Sequence, residues 1–79
     1  MSQLSKLKWH CRRGMKELDV LLTRYLEHNY EQASVEEQQT FQALLELPNS
    51  ELYAYLVEQK TFPDGNMQIL VEKIKQFHQ

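Results

Sequence analysis

Between positions 9 and 19 the chain sets Trp9, Arg12, Arg13, Gly14, Glu17 and Asp19 close together, most of them in the string Arg12-Arg13-Gly14-Met15-Lys16-Glu17-Leu18-Asp19. These residue types suit recognition rather than bond making. An arginine fork grips a carboxylate through two parallel hydrogen bonds, and a glycine lets a partner's backbone approach closely. Tryptophan is a frequent anchor of protein interfaces, and Trp9 lies off the apolar stripe of its own segment. The same string also reads as a plain chain corner. Arginines favour the negative end of a first helix, Gly14 allows the positive φ that stops it, and Glu17 and Asp19 favour the positive end of a second. Spacing alone leaves both readings open and names no partner.

Other reactive residues do not converge. His10 and Cys11 are neighbours, so on a helix they point about 100° apart, and His28 and His78 stand far away in sequence. The two glycines, Gly14 and Gly65, provide no phosphate-cradling loop, and no Ser or Cys sits in a catalytic context. The expectation is therefore no enzymatic activity, no metal site and no tightly bound cofactor. Cys11 is the single cysteine, which excludes an intrachain disulfide and suits a reducing cytoplasm.

The elements that must position the Arg12–Asp19 segment are helical. Leu4, Leu7 and Cys11 mark one side of a short first helix, and Met15, Leu18, Leu22, Tyr25, Leu26 and Tyr30 form the stripe of a long central one. Ser34-Val35-Glu36-Glu37 reads as a capping box that opens a third helix carrying Phe41, Leu44 and Leu45, which Pro48 ends. Asn49 or Ser50 is placed to cap a fourth helix with Leu52, Tyr53, Leu56 and Val57. After Pro63-Asp64-Gly65 a last helix shows Met67, Leu70, Val71, Ile74 and Phe77. No stretch has the alternation of a strand. The fold class expected is all-α, a compact bundle of about five helices forming one domain over residues 1–79.

A domain of 79 residues buries only about 60% of its unfolded surface, so the core is thin. No apolar run is long enough to span a bilayer, and the first residues lack a secretory signal, so the expectation is a cytoplasmic protein without membrane insertion. The net charge of −2 conceals a gradient: five of nine basic residues precede Glu17, and all eleven acids lie from Glu17 onward. A phosphate backbone needs a broad basic surface, which argues against nucleic acid as a partner. The basic end instead suits an acidic protein patch.

With these residues in view, the chain resembles the SdhE/YgfY family of FAD assembly factors for succinate dehydrogenase. The likeness rests on RRGMKELD with its core Arg13-Gly14-x-x-Glu17, then on Tyr25, Glu27-His28, Tyr30, Ser34, Glu37, Phe41 and Leu44-Leu45-Glu46, covering Trp9 to about Leu56. It departs at Asn49-Ser50-Glu51, where the family commonly carries acids, and at Tyr55, where it carries tryptophan. The resemblance implies a five-helix chaperone that binds the flavoprotein subunit of succinate dehydrogenase, and of fumarate reductase, and promotes covalent attachment of FAD to a histidine there. FAD would then belong to the client flavoprotein, and Arg13, Gly14 and Glu17, flanked by Arg12, Asp19 and Trp9, would be the partner-binding residues. Members have also carried the antitoxin label CptB, so the alternative is an antitoxin-like or nucleic-acid-associated helical interaction protein.

Overall fold

The computed structural model describes residues 3–77, with side chains from Ser5 onward, so the Leu4 side chain and His78 lie outside the described residues. Five α-helices follow one another: α1 (Gln3–His10), α2 (Lys16–His28), α3 (Val35–Leu45), α4 (Asn49–Leu56) and α5 (Gly65–Lys75), with a 3-10 turn at Tyr30–Gln32. No strand occurs among the described residues. The expected all-α bundle is what forms.

α2 is the central element because its apolar residues fall at helical spacing on one face. Leu18, Leu21, Leu22, Tyr25 and Leu26 are all buried there, and α1, α4, α5 and the 3-10 turn pack against the same helix. The 3-10 turn seats Tyr30, whose carbonyl accepts from Gln38 Nε2 at 2.8 Å and whose hydroxyl accepts from Gln42 Nε2 at 2.9 Å. Phe41, Leu44 and Leu45 of α3, Leu52, Tyr55 and Leu56 of α4, and Leu70, Val71 and Ile74 of α5 complete one core. In α4 the buried aromatic ring is Tyr55, stacked on Phe62 with centroids 3.5 Å apart. The ring therefore keeps a packing role at the position where the resemblance led one to expect tryptophan.

Two sequence expectations about helix ends are corrected. Ser34 does cap α3, its Oγ accepting from the Glu37 amide at 3.1 Å, but the reciprocal half of the capping box is not the one made. The Glu37 carboxylate instead accepts from the Tyr25 hydroxyl, from Asn29 Nδ2 at 3.0 Å and from Lys73 Nζ at 2.7 Å, joining α2, α3 and α5. Tertiary donors, one of them a full positive charge, outcompete a single local amide. At α4 the capping position is held by Pro48 without a side-chain bond, because Asn49 is engaged elsewhere and Ser50 is exposed. α5 has a local cap: Asp64 Oδ1 accepts from the Asn66 amide at 2.9 Å and faces that of Met67 at 3.5 Å.

Burial by itself would raise the pKa of Glu37, but the Lys73 ammonium and the Tyr25 and Asn29 donors outweigh it and hold the carboxyl below its ordinary 4.5. Burial, and after it the hydrogen bond to Glu37, pushes the Tyr25 phenol upward. Glu37→Ala leaves a buried phenol without its acceptor and is expected to cost about 1–3 kcal/mol at neutral pH. Because the folded carboxyl is held low, its contribution is complete above pH 4.5 and is lost as pH falls through the folded value. Urea unfolding of both proteins at descending pH should therefore show the gap between wild type and variant closing in acid; a constant gap would contradict the network. Cys11 is fully buried, and that burial pushes its thiol up to about 12, with Arg13 lowering and Asp19 raising it to a smaller extent. A thiol-reactive dye at pH 8 is expected to leave native protein unlabelled and to label it promptly in denaturant.

Candidate functional site

The Arg12–Asp19 segment is the turn between α1 and α2, and each of its residues has a distinct fate. The end of α1 is pinned from inside by Cys11, whose amide donates to Leu7 O at 3.0 Å and Lys8 O at 3.2 Å. Gly14 follows with φ +80°, the left-handed conformation that a side chain disfavours, and its Cα faces open space with no atom within 4 Å of where a Cβ would lie. The glycine is thus required by backbone conformation, not by crowding. It is exposed, and Met15 after it is extended and leads into α2.

Arg13 is arranged differently from the outward fork that sequence suggested. Its guanidinium is half-buried and turned back onto the α3–α4 corner: Nε donates to Asn49 Oδ1 at 2.8 Å, one terminal nitrogen to Leu45 O at 2.8 Å and His10 O at 3.3 Å, and the other to Leu47 O. Four donor contacts are spent within the protein, out of five N–H groups that arginine carries. The carbonyls of Leu45 and Leu47 lie at the C-terminal end of α3, where intrahelical donors run out and the helix dipole favours a cation. Arg13 is therefore a brace between the first turn and the third helix. Asp19 is also committed inward, its Oδ1 accepting from the Arg13 amide at 2.7 Å.

What faces solvent around this braced turn is Arg12, Gly14, Lys16 and Glu17. Glu17 borders two depressions. One is lined by Lys16, Glu17, Val20 and Leu21, and the other, of 320 Å³, by Glu17, Leu21, Leu56, Val57, Gln59 and Lys75. Sequence reasoning missed Val20, which stands one helical turn from Glu17 on α2 itself, and it missed Val57 and Lys75, because only the packing of α2 beside α4 and α5 brings those two to Glu17. On the flank, Trp9 is 69% exposed and stands under the Arg12 guanidinium, 5.7 Å from ring centroid to Cζ. Trp9, Arg12, Thr23 and Glu27 share a third depression, and Lys8 pairs with Glu27 at 3.5 Å. Lys16, Val20, Thr23 and Glu27 recur at spacings of four and three along α2, so the Trp9 flank and the Glu17 depressions adjoin along one helix. His10 is exposed and Cys11 buried, so the two do not share a site.

This arrangement offers a bare backbone point, an anion, cations and an exposed aromatic ring. It is equipped to dock on a protein. The family model described as "Flavinator of succinate dehydrogenase" (Sdh5) matches residues 5–78. Among the similar curated proteins are the FAD assembly factor SdhE of Haemophilus ducreyi, 36% identical over 89% of this chain and 85% of the relative, and that of Coxiella burnetii, 37% identical over 90% and 87%. The FAD assembly factor SdhE of Methylococcus capsulatus is 39% identical over 95% of this chain and 90% of its own length. With matches of this extent along nearly the whole chain, the protein belongs to the Sdh5 family, the flavinators of succinate dehydrogenase.

Proposed function

We propose that this protein is an FAD assembly factor: it binds the flavoprotein subunit of succinate dehydrogenase and promotes covalent attachment of FAD to that subunit. The observation that carries the reading is the exposed left-handed Gly14, held by the Arg13 brace and set between Glu17 and the Trp9–Arg12 flank in a member of this family. Fumarate reductase is proposed as a second client class. The antitoxin-like or nucleic-acid reading has no support from the relatives, and eleven acids against four basic residues beyond Lys16 disfavour a phosphate partner.

The role is that of a chaperone rather than an enzyme. The bond-forming chemistry belongs to flavin and client, and this chain acts by stabilising a client conformation in which they meet, since ordering two reacting groups lowers the barrier between them. FAD is proposed to remain with the client. The depressions beside the turn hold about 300–320 Å³, the lower end of ligand pockets, and carboxylates of Glu17 or Glu27 on their rims would repel a pyrophosphate. A cytoplasmic location fits this role, and among the described residues no helix is long and apolar enough to cross a membrane.

Gly14→Asn gives a discriminating test, because asparagine tolerates the left-handed region but adds a side chain at the point of closest approach. The variant is expected to fold with a melting temperature near wild type and to bind the purified flavoprotein subunit at least about tenfold more weakly. In cells lacking the gene, in-gel fluorescence of covalent flavin in the succinate dehydrogenase band should be diminished, restored by wild type and poorly restored by Gly14→Asn or Glu17→Ala. Undiminished flavin fluorescence in the deletion strain would refute the proposal.

A further inference from the structure

Asn49 sits at the first position of α4 and yet does not serve that helix. Its Oδ1 accepts from Arg13 Nε at 2.8 Å while its Nδ2 donates to the Arg13 carbonyl at 3.1 Å. One amide therefore engages both the side chain and the backbone of a residue 36 positions earlier. The carbonyl belongs to the peptide plane that leads into Gly14, and Asp19 holds the preceding plane through the Arg13 amide. With both planes flanking Arg13 fixed, the left-handed rotation at Gly14 starts from a defined direction, and its bare backbone is aimed outward.

We infer that Asn49 is a positioning residue for the docking turn: it orients the Arg13–Gly14 peptide for the flavoprotein while belonging to a different part of the chain. An amide is suited to this because it donates to a carbonyl and accepts from a guanidinium at once, whereas a carboxylate can only accept. Alanine does neither. The remaining Arg13 contacts, to Leu45, Leu47 and His10, continue to brace the corner without it. The inference rests on the reading of this turn as the client surface, and the experiment separates the two.

Three full-length variants, Asn49→Ala, Asn49→Asp and Gly14→Asn, are titrated against the purified flavoprotein subunit of succinate dehydrogenase, with amide hydrogen exchange measured on each free protein. Asn49→Ala is expected to weaken binding about tenfold and to speed exchange at the Arg13 amide, leaving the amides of α3 and α5 protected as in wild type. Asn49→Asp keeps the guanidinium contact and loses the bond to the Arg13 carbonyl, so it is expected to bind about threefold more weakly than wild type. Combining Asn49→Ala with Gly14→Asn should add little to the loss from Gly14→Asn alone, because both act on the same presented backbone. Wild-type affinity for Asn49→Ala beside weakened Gly14→Asn would overturn the inference and leave the docking surface intact. Full affinity for Gly14→Asn would remove both. Weakened binding with faster exchange throughout α3 and α5 would assign Asn49 to general stability and overturn the positioning role.

Discussion

A guanidinium offers only donors, so placing that of Arg13 half inside the protein requires acceptors on most of its edges. The corner where α1 ends and α3 stops meets that requirement with carbonyls that have no helical donor of their own. Each side resolves the other's deficit. The cation is neutralised by the negative end of a helix, and the helix end is capped by a residue more than thirty positions away. With Arg13 and Asp19 drawn in, Gly14 and Glu17 are left at the surface beside a residue whose amide and carbonyl are both hydrogen-bonded.

A second polar knot stands at the opposite end of α3. Glu37 joins α2 to α5 through the Tyr25 hydroxyl and the Lys73 ammonium, and places a charge next to rings of Tyr25 and Phe41 whose centroids are 4.8 Å apart. In so small a domain a few such contacts fix relative helix positions that a thin apolar core would leave loosely specified. The two knots divide the labour. One joins α2, α3 and α5, and the other joins the α1–α2 turn to the α3–α4 corner.

That face follows from the charge gradient of the chain. Cations concentrate on α1 and the turn, where Arg12 lies against the exposed Trp9 ring, while the acids cover the remaining helices. A basic, aromatic end on an otherwise acidic body favours one orientation of approach to an acidic protein surface and disfavours nucleic acid.

The sequence by itself determined the helices, since apolar residues at three-and-four spacing mark α2, α3 and α5 locally, and Gly14 and Ser34 announce a stop and a start through chemistry that acts over a few residues. The family was also legible there, in Arg13-Gly14-x-x-Glu17 and the residues spaced after it. Only tertiary structure decided what Arg13, Asn49 and Glu37 do. Each had a sound local role as outward fork, helix cap or capping-box partner, and each instead took distant partners separated by 32 to 36 residues, or by 8 to 36 in the case of Glu37. Local rules count the donors and acceptors within a turn of helix; a folded chain brings stronger ones from elsewhere, and a side chain with one carboxylate, amide or guanidinium follows the stronger set.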